Sequence, residues 1–311
     1  MFNESESYLG NWEVLDIGIL ETENSRKETN TKYLTKADIK KILKPRAKFS
    51  HKGTYGHCLL VAGSYGKMGA AILAARSLLR SGAGLLTLCI PKCGYEIMQT
   101  SVPEAMTLVH GNDYVEVSQL DLKNYESIGI GPGLSTEPIA QKSMKYLLEI
   151  SKKPLVLDAD GLNIVANHKD LLTLIPDNSI LTPHPKEFER LTHYVSNSFD
   201  RLEVQKEFSK KHNLIVVLKG AHTSITTPSG EIYFNSTGNN GLAKGGSGDM
   251  LTGLITGFLA QGYTPLESAL MGVYIHGDAA DIAKSEKGEM AMIPSDVIDC
   301  LSTAFKNLTE E

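Results

Sequence analysis

The sequence predicts an α/β protein, a three-layer α/β/α sandwich around a mostly parallel central sheet. Short, branched and nearly unbroken apolar runs recur along the chain, which is how a strand reads when both of its faces are covered. Between them lie helical stretches long enough to cross over from one parallel strand to the next. A length of 311 residues, with 41% hydrophobic and 22% charged side chains, suits one large sheet-centred domain with a short extension.

Taken in order, Trp12–Leu20 (WEVLDIGIL) alternates like a strand but has no partner nearby in the sequence. Glu21–Lys32 is polar and lacks apolar periodicity, so it reads as a linker, which makes residues 1–32 an extension and 33–311 the main domain. Thr35 opens a capped helix (TKADIKKIL) that stops before Pro45. Buried parallel strands are expected at His57–Ala62, Leu85–Ile90, Ser127–Gly131, Leu155–Asp158, Ile180–Thr182 and Leu214–Lys219. Crossover helices are expected at Ala70–Arg80, Ile139–Ile150 and Phe199–Lys211.

A net charge of −5 gathers no phosphate backbones, so nucleic acid is not an expected partner and any anionic ligand must be held locally. Cys58, Cys89, Cys93 and Cys300 show no CxxC pairing, and two lie in apolar runs, which fits free thiols in a reducing compartment. With no run of about 18 apolar residues and no basic or apolar start in Met1–Gly10, neither a spanning helix nor a signal peptide is expected, and the cytoplasm is the expected location.

The strongest local signal is Gly238–Asp249 (GNNGLAKGGSGD), followed by Met250, Leu251, Leu254, Ile255, Phe258 and Leu259 at helical spacing. A glycine-rich loop that opens onto a helix presents free backbone N–H groups, and these make an anion site without any lysine. Asp249 falls in the first helical turn. There it either complements the helix dipole or accepts a hydroxyl proton as a phosphoryl group moves in. Neither GxxxxGK[ST] nor a correctly placed GxGxxG is present.

GGSGD resembles the anion-hole motif of the ribokinase-like superfamily. With HKGTYG (His51–Gly56), AGSYGKMGAA (Ala62–Ala71), SGAGL, GPGL (Gly131–Leu134), DADGLN (Asp158–Asn163), TPHPKE (Thr182–Glu187) and LKG in that order, the chain is similar from about Leu34 onward to the ADP- or ATP-dependent NAD(P)H-hydrate dehydratases. The resemblance implies that the S form of hydrated NADH or NADPH is phosphorylated on its ring hydroxyl by ADP or ATP with Mg2+, and that loss of phosphate restores the cofactor. It implies Asp249 as base, the amides of Gly246, Ser247 and Gly248 as anion hole, and Ala70, Gly131, Gly133, His184 and Asp249 on the hydrate side. Lys219, Gly220, Ala221, His222 and Thr223 (KGAHT), with Asn239, Asn240 and Gly248, would meet the nucleotide.

Taken alone, each of these residues has a structural reading: helix packing for Ala70, tight turns for the glycines, a rigid loop for His184. Asp158, Asp160 and Glu187 could help hold magnesium or simply form turns, so no metal ligand is assigned. His51, His57 and His276 have weaker claims. The alternatives are a ribokinase-like kinase of a small vitamin-precursor alcohol and a nucleotide-binding module without catalysis, but the intact Asp249 and GGSG run argue against the second. Tyr8–Leu20 looks like the closing strand of the hydrate epimerase domain that precedes the dehydratase in bifunctional relatives. An epimerase is therefore an expected partner, and a homo-oligomer, up to a tetramer, the expected assembly.

Overall fold

A computed structural model describes residues 3–8 and 29–309. Ten strands form one sheet in the order β1-β10-β9-β8-β7-β6-β5-β2-β3-β4. They are β1 (Thr31–Leu34), β2 (His57–Val61), β3 (Leu85–Ile90), β4 (Met106–Val109), β5 (Ser127–Ile130), β6 (Leu155–Leu157), β7 (Ile180–Leu181), β8 (Ile215–Leu218), β9 (Ser224–Thr226) and β10 (Ile232–Asn235). Every pairing is parallel except the two made by β9. The mostly parallel sandwich read from the sequence is therefore the fold, and all six expected strands are present to within a residue or two at their ends.

Successive residues of the central strands feed opposite faces, as the period of two requires. In β8, Ile215 and Val217 join one core with Leu254, Ile255 and Phe258, while Val216 and Leu218 join the other with Leu162, Phe188 and Phe208. The first face carries α1 (Lys36–Ile42), α2 (Met68–Arg80), α8 (Ser247–Ala260), α9 (Pro265–Lys287) and α10 (Pro294–Thr309). The second carries α4 (Pro138–Ile150), α5 (Ala159–Asn167), α6 (Pro185–Leu191) and α7 (Ser198–His212), and the short α3 (Tyr95–Ser101) packs beside α2 near β4. Thr35 caps α1 in a reciprocal box with Asp38, as its sequence position predicts.

The linker boundary needs one correction. Thr31 and Lys32 do not belong to a linker. They open the edge strand β1, where Lys32 pairs with Glu231 at 3.2 Å and Leu34 is buried. A strand this short and polar carries no alternation by itself, and its existence depends on the distant β10. Trp12–Leu20 lies outside the described residues. In the short 3-10 turn Asn3–Tyr8, the Glu4 carboxylate accepts a hydrogen bond from the Ser198 amide at 2.7 Å, at the start of α7.

Among the described residues the four cysteines are free, with Cys58 and Cys89 buried and their thiols pushed up to about 12 by desolvation. Among those residues no helix is long and apolar enough to cross a membrane. His51 caps the 3-10 turn Lys52–Tyr55, and His57 hydrogen-bonds Thr87 and packs edge-on against Tyr125, so both serve the fold.

Candidate active site

Open parallel sheets bind ligands beyond the carboxyl ends of their strands, and the motif residues collect there. Lys219 follows β8, Asp158 follows β6, Gly131 follows β5, and His184 leads from β7 into α6. Across from them α8 begins at Gly246, whose φ of +100° lies in the left-handed region. A Cβ at that position would come within 2.5 Å of Leu73 Cδ1, so only glycine makes this turn. No side chain caps the α8 N-terminus, and apart from a long 3.4 Å bond from the Ser247 amide to the Lys244 carbonyl its first amides are left to an outside acceptor.

Asp249 stands in the first turn of α8. Burial, with Asp158 as the strongest like charge, pushes its carboxyl up to about 6 against the pull of Lys219. The Lys219 ammonium lies 2.8 Å from Asp158 Oδ1 and 3.9 Å from Glu187 Oε2. Burial alone would lower this lysine, but the two carboxylates outweigh it, so the charge is retained. The same pairing overcomes the desolvation of Asp158, whose other oxygen accepts from Thr252 Oγ1 at 2.7 Å, and holds that carboxyl below its usual range. A Cβ built on Gly248 would lie 3.1 Å from Lys219 Nζ and 3.4 Å from Asp158 Oδ2. The start of α8 is thus set directly against a fixed, charged lysine.

A cavity of about 830 Å³ opens here, lined by residues 219–223, Asn239, Asn240 and 245–249 together with Asp158, His184, Leu242, Leu251, Val273 and His276. Every residue expected to meet a nucleotide therefore lines one cavity, with apolar walls from Leu242, Leu251 and Val273. An open groove of about 880 Å³ at the far edge of the sheet, near Lys92, Tyr95 and Asp113, is marginally larger. It holds none of the motif residues, and volume alone does not locate chemistry.

Ala70, Gly131 and Gly133 do not line that cavity; they pack together next to Asp158, which does. A Cβ on Gly133 would lie 3.1 Å from Ala70 Cβ, and one on Gly131 would come 1.9 Å from the Asp158 carbonyl. At Gly131, with φ of +131°, this approach leaves no room for a side chain. Asp158 thus lines the cavity and also backs Gly131.

His184 lies on the cavity side as the N-cap of α6. Its Nδ1 accepts from the amides of Lys186 and Glu187 at 3.1 and 3.3 Å, and Glu187 accepts from its amide at 2.8 Å. Desolvation and Lys219 lower its pKa, so the ring is neutral and presents Nε2–H. The proline-flanked histidine is therefore a helix cap as well as a wall of the cavity.

The acidic residues do not build a metal cage. Asp158 is engaged by Lys219 and Thr252, Asp160 by Lys67 at 3.1 Å and the Ser135 amide at 2.8 Å, and Glu187 by the α6 cap. Among the described residues no three His, Cys, Asp or Glu side chains converge as ligands. No sequence signal announces the Asp158–Lys219–Thr252 network, whose members lie up to 94 residues apart, and His276, whose claim on sequence grounds is weak, joins the same wall.

Residues 58–303 match the family described as NAD(P)H-hydrate dehydratase. Over 98% of its length the chain is 39% identical to a bifunctional NAD(P)H-hydrate repair enzyme of Moorella thermoacetica, of which it covers 59%. It is 35% identical over 89% of its length to an ADP-dependent (S)-NAD(P)H-hydrate dehydratase of Bacillus subtilis, of which it covers 99%. A crystal structure of the Bacillus subtilis ADP/ATP-dependent dehydratase, co-crystallised with ATP and Mg2+, superposes with a TM-score of 0.78 at 33% identity, covering 90% of this chain and 100% of that one. The chain spans about three-fifths of the length of the bifunctional relative.

Proposed function

The chain belongs to the NAD(P)H-hydrate dehydratase family, and we propose on that footing that it returns the S form of hydrated NADH or NADPH to the intact cofactor at the expense of an adenine nucleotide. The observation that carries this is the start of α8: an uncapped, glycine-turned helix end with a raised aspartate in its first turn, facing a nucleotide-sized cavity beside a charged lysine.

The nucleotide lies in the cavity with its terminal phosphate on the amides of Gly246, Ser247 and Gly248, and its remaining parts along residues 219–223 and Asn239. The hydrated ring enters from the side of Ala70, Gly131 and Gly133, bounded by His184. Asp249 takes the proton of the ring hydroxyl as that oxygen attacks phosphorus and the nucleotide leaves. Helix amides and Lys219 meet the charge that develops on the phosphoryl oxygens. The phosphate ester then breaks its carbon–oxygen bond, phosphate departs, and loss of a proton from the neighbouring carbon restores the ring double bond. Magnesium would arrive on the nucleotide phosphates; among the described residues the protein's own carboxylates do not form a cage for it.

Pure protein given the S hydrate with ADP or with ATP should regain the near-ultraviolet absorbance of NADH. Phosphorylation of a thiamin-precursor alcohol, with no recovery of NADH, would reverse the reading in favour of a small-alcohol kinase. The proposal extends to a cytoplasmic homo-oligomer, up to a tetramer, which light scattering on a sizing column tests. It also extends to an R-to-S epimerase as the partner that supplies substrate.

A further inference from the structure

His276 on α9 lines the same cavity as Lys219 and the start of α8, and it is only 8% exposed. Among the described residues its Nε2 is the one buried side-chain nitrogen or oxygen without a hydrogen-bond partner. Burial of an unpaired polar atom is costly, so such an atom in a native fold needs a reason. The helix cannot swing it away: Thr237 Oγ1 donates to the Tyr274 carbonyl at 2.8 Å, and a Cβ on Gly277 would come within 2.3 Å of the same hydroxyl.

The ring lies by the backbone of Ser247, the first residue of α8, and Lys219 is the charge that bears on it. The other charges of the surrounding elements are committed elsewhere. Asp158 holds Lys219 and Thr252, Lys244 donates to the carbonyls of Met290 and Met292, and Asp281 accepts from Gly238 and Asn239. Asp278 feels Asp281 as a like charge and Lys36 as an opposite one, and Asp249 feels Asp158 and Lys219 in the same way. Desolvation, reinforced by Lys219, pushes the imidazole down to about 4 and keeps it neutral.

We propose that His276 is a binding residue for the phosphate end of the nucleotide: an anion seated on the α8 amides cancels the field of Lys219, and the ring takes up one solvent proton, adding a second positive charge to the wall of the site. This rests on the nucleotide reading above and adds to it a linkage between nucleotide binding and pH. A gain in basicity of roughly a hundredfold on pairing with an anion, within the range open to buried groups, would leave the bound ring about half protonated near pH 6.

The test is titration calorimetry with ADP and Mg2+ at pH 6 and pH 7 in buffers of low and high ionisation heat, on wild type and His276→Gln. The slope of the observed heat against buffer ionisation heat counts the protons taken up. Wild type should exceed the variant by on the order of half a proton at pH 6 and by less at pH 7. Proton uptake by Asp249 is common to both proteins and cancels. Coincident slopes at both pH values overturn the proposal. If the variant does not fold, the imidazole nitrogen resonances of His276 in wild type decide: a shift to the imidazolium pattern on adding ADP supports it, and an unchanged neutral pattern overturns it. Absence of ADP binding to wild type removes the nucleotide site itself, and the inference with it.

Discussion

Replacing Asp249 with asparagine should make the protein more stable and nearly inactive. In the fold its carboxyl is raised from 3.8 to about 6 by burial and by Asp158, roughly a hundredfold in proton affinity, or roughly 3 kcal/mol as an upper limit. Partial exposure and relaxation reduce this to about 1–2 kcal/mol. Because the folded pKa lies above the unfolded one, the group's contribution is fully favourable below about pH 4 and is lost as pH rises through about 6. The asparagine carries no charge at any pH, so the variant's advantage should be absent near pH 4, grow up to about pH 6, and stay level above that. For a chain of this size that is a gain of a few degrees in melting temperature at about pH 7.5. Turnover should fall by a factor on the order of 10² or more with nucleotide affinity retained, and kcat/KM of the wild type should rise with pH up to about 6. The readouts are denaturant unfolding of both proteins across the range from acid to neutral pH and NADH recovery from the S hydrate. A folded variant with near-normal turnover, or a stability gap that does not change with pH, refutes the assignment.

Lys219→Met should abolish nucleotide binding and cost about 3–5 kcal/mol in urea unfolding, because Asp158 is left buried and unpaired; a loss below about 1 kcal/mol would show that water repairs the site. Gly246→Ala places a Cβ against Leu73 in a left-handed turn, so ADP affinity should drop at least roughly tenfold by calorimetry, whereas an unchanged Kd would mean that the turn does not set the amides. Removing residues 1–28 should leave dehydratase turnover intact and R-to-S epimerisation undetectable. Removing residues 1–34 takes β1 and the buried Leu34 and exposes the β10 edge, so it should lower the melting temperature and promote aggregation. Equal stability of the two truncations would show β1 to be dispensable.

The parts of the fold legible in the sequence are those whose signal is local. Unbroken apolar runs mark the parallel strands, and GGSGD ahead of Met250, Leu254 and Phe258 places a glycine turn on a helix start. β9 escapes because Ser-Ile-Thr reads as polar; it can be buried because α7 satisfies its side chains, Gln205 bonding Ser224 at 2.7 and 3.1 Å and Ser209 bonding Thr226 at 2.6 Å. α9 escapes because it is covered nearly all round, so its buried residues from Ser268 to Ala283 leave no apolar stripe to read. The Asp158–Lys219 pair joins residues 61 apart, and no spacing rule reaches that far.

That pair also bears on how Asp249, proposed above as the base, would act at neutral pH. At its ordinary 3.8, Asp249 would be ionised but too weak a base to draw a proton from an alcohol; at about 6 it is roughly a hundredfold more basic, yet at pH 7 about nine-tenths remains charged. Desolvation is the largest cause of this, and it would go further were the space not shared with a cation. Lys219 pulls the carboxyl back down, Asp158 pushes it up, and the two are locked to each other at 2.8 Å. Their fields oppose each other at Asp249, where burial is the largest influence. Asp158→Asn, which frees Lys219 while keeping the shape, should therefore shift the acid limb of kcat/KM below its wild-type position near about 6, even where protein stability and nucleotide affinity change little. A limb that moves upward would mean that Lys219 leaves the site when its partner is removed, and that the lysine is placed by Asp158 rather than by the strand end that carries it.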